Sequence, residues 1–576
     1  MVLRRKQYNR DYINYRSSVK KGIKVKKNLI TSALLYINGE PHIGHLAGCL
    51  LPADAFARFK RLKNEETLFI GGTDEHGTAI EIASKKAGKP FQDYCDELFE
   101  FHKKTYKEWN ISFDFLGRTS DKKNHELVKK VFKEVDSAGY ISEKTIKQIY
   151  SIDDKRFLSD RYIKGTCPHC KAEGVDGDQC EVCTKLLEPT ELIEPYSTIS
   201  GSKNLEIRET KHLYLKLSSI QGELEKWIAK KDWNKTTKSI AQKWLTEGLQ
   251  DRCITRDLSW GISVPKTGYE NKVFYVWFDA PFGYVSITQQ WAEKNNTSWE
   301  DWWKKDDVNY TQFMAKDNIP FHTVFFPATE IASGENFHLV DNVNGLNYLN
   351  FENKKISKSK KIGVFASQAS AEFPIDYWRY YLLSHIPESG DSNFSFSEFI
   401  TLINKDLNDV LGNFVMRVMK FYIAKFGKKI AESPFLDDEL LEKLTPLVNS
   451  YVDNFDNLKI RKTMENLREI WTLGNSYIAE KEPWAVYKTN PEEAKKIVET
   501  GLHLIGLFAV LAKPIIPESA EKISKMITDD SLKLPTGNLK TWFQSWKIKK
   551  EIEIPTAVFS KIDPKKADEL KLKYGG

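Results

Sequence analysis

The sequence predicts an α/β chain in which a doubly wound parallel sheet is split by a cysteine-bearing insertion and followed by an all-α bundle. Three observations predict it. Two buried-strand runs, "LITSALLY" (29–36) and "ETLFIGGTD" (66–74), close on small or turn-forming residues, and helical spacing follows each of them. The pattern lapses from about residue 140 to 252, where four cysteines cluster, and strand-like runs return in "KVFYVWFDAPFGYVSI" (272–287) and "FHTVFFPA" (321–328). Beyond about residue 397 the strand pattern ends, and "FITLINKDLNDVLGNFVMRVMKFYIAKF", "LEKLTPLVNSYVDNF" and "EEAKKIVETGLHLIGLFAVLAK" all carry helical spacing.

The expected segments are a basic arm over 1–27, a first sheet half over 28–137 and an insertion over 138–252. A second sheet half over 253–346, a loop-bearing connection over 347–396 and a helical domain over 397–576 follow. A hydrophobic fraction of 41% suits a globular chain, while the longest apolar stretches fall well short of the roughly 20 residues of a membrane span, so no membrane is implied. A net charge of +7 permits nucleic-acid binding without demanding it. Seven cysteines, four of them bunched, argue against a secreted disulfide framework and for a reduced compartment, the cytoplasm, with one metal site. The arm sets ten Lys or Arg against one Asp. It reads as an organellar import sequence, a phosphate-binding tail or solvated surface.

"NGEPHIGHLAGC" (38–49) leaves the first strand through a turn and opens a helix. A helix start at the carboxyl end of a parallel strand receives anions such as phosphate. Gly44 lets a flat group approach the backbone, and His42 and His45 can donate to phosphate oxygens as charge builds up in a transition state. Some 310 residues later, "NFENKKISKSKKIGVF" places Lys355, Ser357 and Lys358 in a loop suited to closing over a pyrophosphate. Alone, the first motif reads equally as surface histidines and the second as a solvated face.

Together, His-Ile-Gly-His and Lys-Ile-Ser-Lys-Ser resemble the paired signatures of class I aminoacyl-tRNA synthetases, which implies a Rossmann-type catalytic domain. "SALLYINGEPHIGH", "GGTDEHGT", "RCITRDLSWGISVP", "FYVWFDAPFGY", "FMAKDNIPFH" and "KKISKS" occur in the order expected of the methionyl-tRNA synthetase family. The wording of "RCITRD" and "VFYVWFDA" looks like its archaeal and eukaryotic cytosolic branch. The resemblance implies activation of L-methionine by Mg2+-bound ATP to methionyl-adenylate, then transfer to the terminal adenosine of tRNA(Met), the initiator included. His42, Gly44, His45, Lys355, Ser357 and Lys358 match the ATP contacts, with His42, His45, Lys355 and Lys358 as the catalytic set. Leu34, Tyr36, Trp277, Ala280, Pro281, Tyr284, Asn318 and His322 match positions around the methionine side chain. An aromatic slot suits a thioether physically, because sulfur on aromatic rings gains roughly 0.3–1.5 kcal/mol. Asp74 matches the carboxylate that receives the ammonium group. Its bland alternative is to cap the following helix.

Cys167-Pro-His-Cys170 and Cys180-Glu-Val-Cys183 form two CxxC knuckles that can close four thiolates around one zinc ion. Four thiolates leave no open position, so the ion is structural. Cys49, Cys95 and Cys253 read as small core residues. An insertion of about 115 residues is too short for the large editing domain of the valyl, leucyl and isoleucyl relatives. Selection then falls on the synthetic pocket, where one missing methylene is rejected by only about 1–3 kcal/mol, so some homocysteine is expected to be misactivated.

In the helical domain, Asn413 and Arg417 lie four apart on one face, and Trp484 follows a proline. They match the family's contacts with the CAU anticodon, where Trp offers a stacking surface and Asn and Arg read base edges. Three departures stand out: Leu35 and Ile356 replace a proline and a methionine of the family pattern, and Pro52 sits inside a helix, where a kink is expected. A non-tRNA nucleotidyltransferase would need neither knuckles nor a helical anticodon domain. A catalytically dead relative would have lost charged motif residues. A monomer is the default, with a larger assembly of synthetases left open.

Overall fold

The computed structural model describes residues 26–575 apart from 159–161, 178–179, 181, 184–186, 358–360 and 431–433. The basic arm through residue 25 and the expected ATP contact Lys358 therefore lie outside the described residues.

Strands β1 (Lys27–Ser32), β2 (Leu35–Tyr36), β3 (Glu66–Asp74), β4 (Phe115–Arg118), β5 (Val308–Ala315) and β6 (Asn342–Leu346) make one parallel sheet. Its order is β6-β5-β1-β3-β4, with β2 prolonging β1 along the same edge of β3. The strands read as near-continuous apolar runs because both faces are covered. The run "LITSALLY" is not one strand. Thr31 pairs with Ile70 but Leu35 with Thr73, so one extra residue is taken up at Ala33–Leu34. A slip of this kind re-aims side chains at the rim of a site. Here it faces Leu34 toward Gly283 and sets Tyr36 opposite Asp74.

The chain order reverses at β1. β3 and β4 lie to one side and β5 and β6 to the other, so the carboxyl ends of β1 and β5 border a topological switch point. The helix after β1 starts at Ile43–His45, widens through a turn of i to i+5 pairing over Leu46–Leu50, and continues as α1 (Leu51–Leu62). Pro52 stands in the first turn of α1, directly after the widened turn.

Two sequence expectations fail here. "KVFYVWFDAPFGYVSI" supplies only Val273–Phe274 as strand and then turns helical, at Val276–Asp279 and in α2 (Phe282–Lys294). "FHTVFFPA" is a widened helical turn, Phe321–Phe325, running into the helix Phe326–Ser333. Both are buried on nearly all sides, and a helix apolar all round shows no 3.6-residue period to distinguish it from a strand. The insertion is more regular than its sequence suggests. Ile141–Ser151 and Leu205–Leu215 pair antiparallel over eleven residues, with charged side chains on their exposed faces masking the alternation.

After α3 (Ile375–Ser384) and the short strand Ser392–Phe394, the described residues run as helices α4 (Asn413–Phe426), α5 (Asp438–Asp456), α6 (Ile460–Lys481), α7 (Pro491–Ala512) and α8 (Pro517–Ile527), with short helices beyond. α7 is buried from Ile497 to Ala512 and forms the bundle's central post. No described helix is long and apolar enough to cross a membrane.

Candidate active site

The histidine turn is built from its own side chains. Gly44 N donates to His42 Nδ1 at 3.1 Å, and His42 N donates to His45 Nδ1 at 3.2 Å. The two rings stack with centroids 3.7 Å apart. Because each Nδ1 accepts, the neutral rings carry their protons on Nε2, as hydrogen-bond donors.

The lysine segment closes on this turn. Ile43 N donates to Val364 O at 3.0 Å and Ala366 N to Pro41 O at 2.9 Å, while His42 and Phe365 form an antiparallel bridge. Ser357 and Ile362 exchange two backbone bonds of 3.0 Å. Ile356 lies over the histidine turn: a Cβ built on Gly44 would come within 3.3 Å of Ile356 Cδ1 and 2.9 Å of His42 Nδ1. Gly44 thus serves close approach, with Ile356 packed over it. Lys355 is exposed beside Asp317, and burial raises the Asp317 carboxyl above its usual range against the pull of Lys316 and Lys355.

A pocket wall forms from α2, the short helix before it and the widened turn after β5. His322 Nδ1 lies 2.9 Å from Asn318 O and Nε2 lies 3.0 Å from Tyr284 Oη. A carbonyl can only accept, so Nδ1–H donates to it and Nε2 accepts from the tyrosine hydroxyl. Burial pushes the His322 pKa down to about 4, which keeps the ring in that neutral form, and Tyr284 is pushed up by its own burial. Asn318 takes part through its backbone carbonyl. Trp277 is half-buried against Phe321, 4.2 Å between ring centroids, and Tyr275, 4.9 Å. Ala280 ends the helix Val276–Asp279 and Pro281 opens α2. Leu34 approaches so closely that a Cβ on Gly283 would sit 2.8 Å from its Cδ1.

Asp74 does not cap the helix that follows it. That helix, Thr78–Ala87, begins at Gly77 with no side-chain cap. Asp74 Oδ1 is instead buried with no hydrogen-bond partner among the described residues, the situation a bound ammonium group would relieve. Burial and then the neighbouring Asp279 raise its pKa well above the usual carboxylate range. Asp279, which the sequence reading did not single out, joins the two walls: its Oδ2 lies 2.6 Å from His76 Nδ1. His76 Nε2 lies 3.3 Å from His125 Nε2. Burial drives Asp279 up and His76 down to about 4, both toward their neutral forms, so one proton lies between Nδ1 and Oδ2. "TDEHG" and "WFDAP" contain the pair, but no spacing rule links residues 203 apart.

The four cysteine sulfurs all lie within 4.8 Å of one another, with Cys167–Cys183 at 3.9 Å and Cys170–Cys180 at 3.5 Å. Tetrahedral zinc with Zn–S bonds of about 2.3 Å sets sulfurs about 3.8 Å apart, so the cluster fits one ion. Of the other thiols, Cys49 and Cys95 are core residues as expected, whereas Cys253 is half-buried. Burial would raise its pKa, but His212 and Arg256 outweigh it and hold the thiol at about 7.

In the helical domain Asn413 is exposed at the start of α4, and Arg417 follows one turn later with its Cζ 5.8 Å from the Trp484 ring. Trp484 is 39% exposed, enough to leave a ring face accessible.

Two family models match this chain: "tRNA synthetases class I (M)" over residues 28–419 and "Anticodon binding domain of methionyl tRNA ligase" over 430–576. The methionine–tRNA ligase of Roseobacter denitrificans is 46% identical over 570 residues, covering 96% of this chain and all of the relative. That of Acaryochloris marina, named methionine–tRNA ligase 1, is 46% identical over 554 residues, 95% of this chain and 99% of the relative. In fold, the Mycobacterium tuberculosis methionyl-tRNA synthetase bound by methionyl-adenylate superposes with a TM-score of 0.75 at 24% identity, covering 93% of this chain and all of that one. These relatives are bacterial, so the expected likeness to the archaeal and eukaryotic cytosolic branch is not supported. By both family models and by near-full-length identity to curated ligases, the chain belongs to the class I methionyl-tRNA synthetases.

Proposed function

We propose that the chain activates methionine with ATP and esterifies tRNA(Met) through the residues described above. The observation that carries this reading is the joining of the histidine turn to the lysine-bearing segment through Ile43–Val364 and Ala366–Pro41. It supports the reading because it joins two motifs, some 310 residues apart in sequence, that the reading assigns to the phosphates of ATP.

In the first step a methionine carboxylate oxygen bonds to the α-phosphorus of ATP, and the bond to pyrophosphate breaks. His42 and His45, protonated on Nε2, and Lys355 and Lys358 stabilise charge moving onto the leaving group. Asp74 receives the ammonium, and Leu34, Tyr36, Trp277, Ala280, Pro281, Tyr284, Asn318 and His322 enclose the thioether. In the second step a hydroxyl of the terminal adenosine attacks the carbonyl and AMP leaves. No protein nucleophile is needed; positioning and electrostatics carry the rate. Mg2+ bound with ATP would neutralise phosphate charge. Zinc would be held by Cys167, Cys170, Cys180 and Cys183, and with four thiolates it would order the knuckles without touching substrate. Asn413, Arg417 and Trp484 would read the anticodon. The reading takes the chain as a cytoplasmic monomer, with organellar import through the basic arm as the alternative.

The test replaces each histidine by Ala and follows formation of methionyl-adenylate in a single turnover. A loss of about 100-fold or more in rate, with methionine affinity held within about threefold, supports the assignment. Unchanged rates in both variants refute it.

A further inference from the structure

We infer that Asn475 is a positioning residue for anticodon reading, fixing the plane of the Arg417 guanidinium beside the Trp484 ring. The inference rests on the reading of Arg417 and Trp484 given above. Arg417 Nη2 donates to Asn475 Oδ1 at 3.1 Å, from α4 to α6. The other end of the same amide is fully used: Asn475 Nδ2 donates to Trp471 O at 3.0 Å and to Val410 O at 3.1 Å.

These bonds lock the amide. Turned over, it would set its oxygen against two carbonyl oxygens and its NH2 against a cation, three repulsive contacts in place of three favourable ones. Asn475 therefore presents a fixed acceptor to Arg417. Trp471 O is the carbonyl one turn earlier on the same helix. Val410 O comes from Ile403–Gly412, a stretch of i to i+5 pairing that ends where Asn413 begins α4. The widened stretch thus ties the anticodon helix to Asn475. Arg417 Nε is buried with no partner among the described residues, which leaves the bond to Asn475 and the contact with Trp484 at 5.8 Å to set the guanidinium's orientation. The ligand such a pair takes is an unpaired nucleobase, stacked on the indole and hydrogen-bonded along its acceptor edge by the guanidinium.

The test compares Arg417→Ala, Asn475→Ala, Asn475→Asp and the double Ala variant in aminoacylation of tRNA(Met), with methionine-dependent ATP–pyrophosphate exchange run in parallel. Asn475→Ala should lower kcat/KM for tRNA(Met) about tenfold or more, mainly through KM, with exchange unchanged. Its discrimination against a tRNA with one altered anticodon base should shrink. The double variant should be no worse than Arg417→Ala. Asn475→Asp keeps the acceptor without the two donors that lock it, so it should fall between wild type and Ala, and it carries the comparison if Ala unfolds the bundle. Full activity of both Asn475 variants beside an impaired Arg417→Ala overturns the inference, as do losses that multiply in the double variant. An unimpaired Arg417→Ala overturns the anticodon reading itself, and the inference with it.

Discussion

Arg379 Nη2 lies 2.6 Å from Asp54 Oδ2, and neither side chain has any solvent exposure. The guanidinium also donates to Ile515 O at 2.8 Å and to Trp109 O and Pro514 O at 3.1 Å. Asp54 accepts in addition from Arg58 Nε at 2.8 Å and from Ser112 N and Oγ. Burial alone would raise the Asp54 pKa, but Arg58 and Arg379 outweigh it and hold the carboxyl at about 2. One satisfied ionic node thus joins α1, which continues from the histidine turn, to α3 and to the turn between α7 and α8. Arg379→Ala strands a buried carboxylate and is expected to cost about 3–5 kcal/mol in urea unfolding. Arg379→Lys should recover little of this, since an ammonium cannot reach four acceptors in one plane.

Acid sensitivity should arise partly in the helical domain. His503 is buried against Phe543 and Trp546, and burial pushes its pKa down to about 4. Between about pH 4 and 6.5 the unfolded chain binds a proton that the folded chain does not, so stability rises with pH across this window and is lost as pH falls through it. His503→Phe should flatten that part of the unfolding free-energy profile, by about 3 kcal/mol at most. An unchanged profile would mean that the imidazole is protonated in the fold.

Tyr284→Phe should weaken methionine binding. It removes the hydroxyl that donates to His322 Nε2 and leaves a buried acceptor unpaired, a cost of about 1–3 kcal/mol. Michaelis kinetics should show KM for methionine raised about fivefold or more with kcat changed less.

Metal analysis should find one zinc per chain, absent from Cys170→Ser. The knuckles share an apolar cluster with Tyr162 and Leu258. Tyr162 bonds Glu81, which also accepts from Ser259 and Trp260 and sits seven residues after Asp74. Chelation should therefore raise KM for methionine before it abolishes turnover.

Much of this was legible in residues whose chemistry is local. The two CxxC knuckles, the histidine turn and the helical spacing after residue 397 each announce themselves within a few residues. What was not legible depends on distant partners or on burial from all sides. "FHTVFFPA" gave no period because it is buried all round, the slip at Ala33–Leu34 appears only against β3, and His76–Asp279 and Arg417–Asn475 join segments that no spacing relates.

The central claim, a pocket for methionine beside an ATP site, is tested most directly by amino-acid-dependent ATP–pyrophosphate exchange without tRNA, using methionine, leucine, isoleucine, valine and cysteine in parallel. Strong exchange with methionine alone is the result this account predicts. Preferential exchange with another of the five, or none with any, would contradict it.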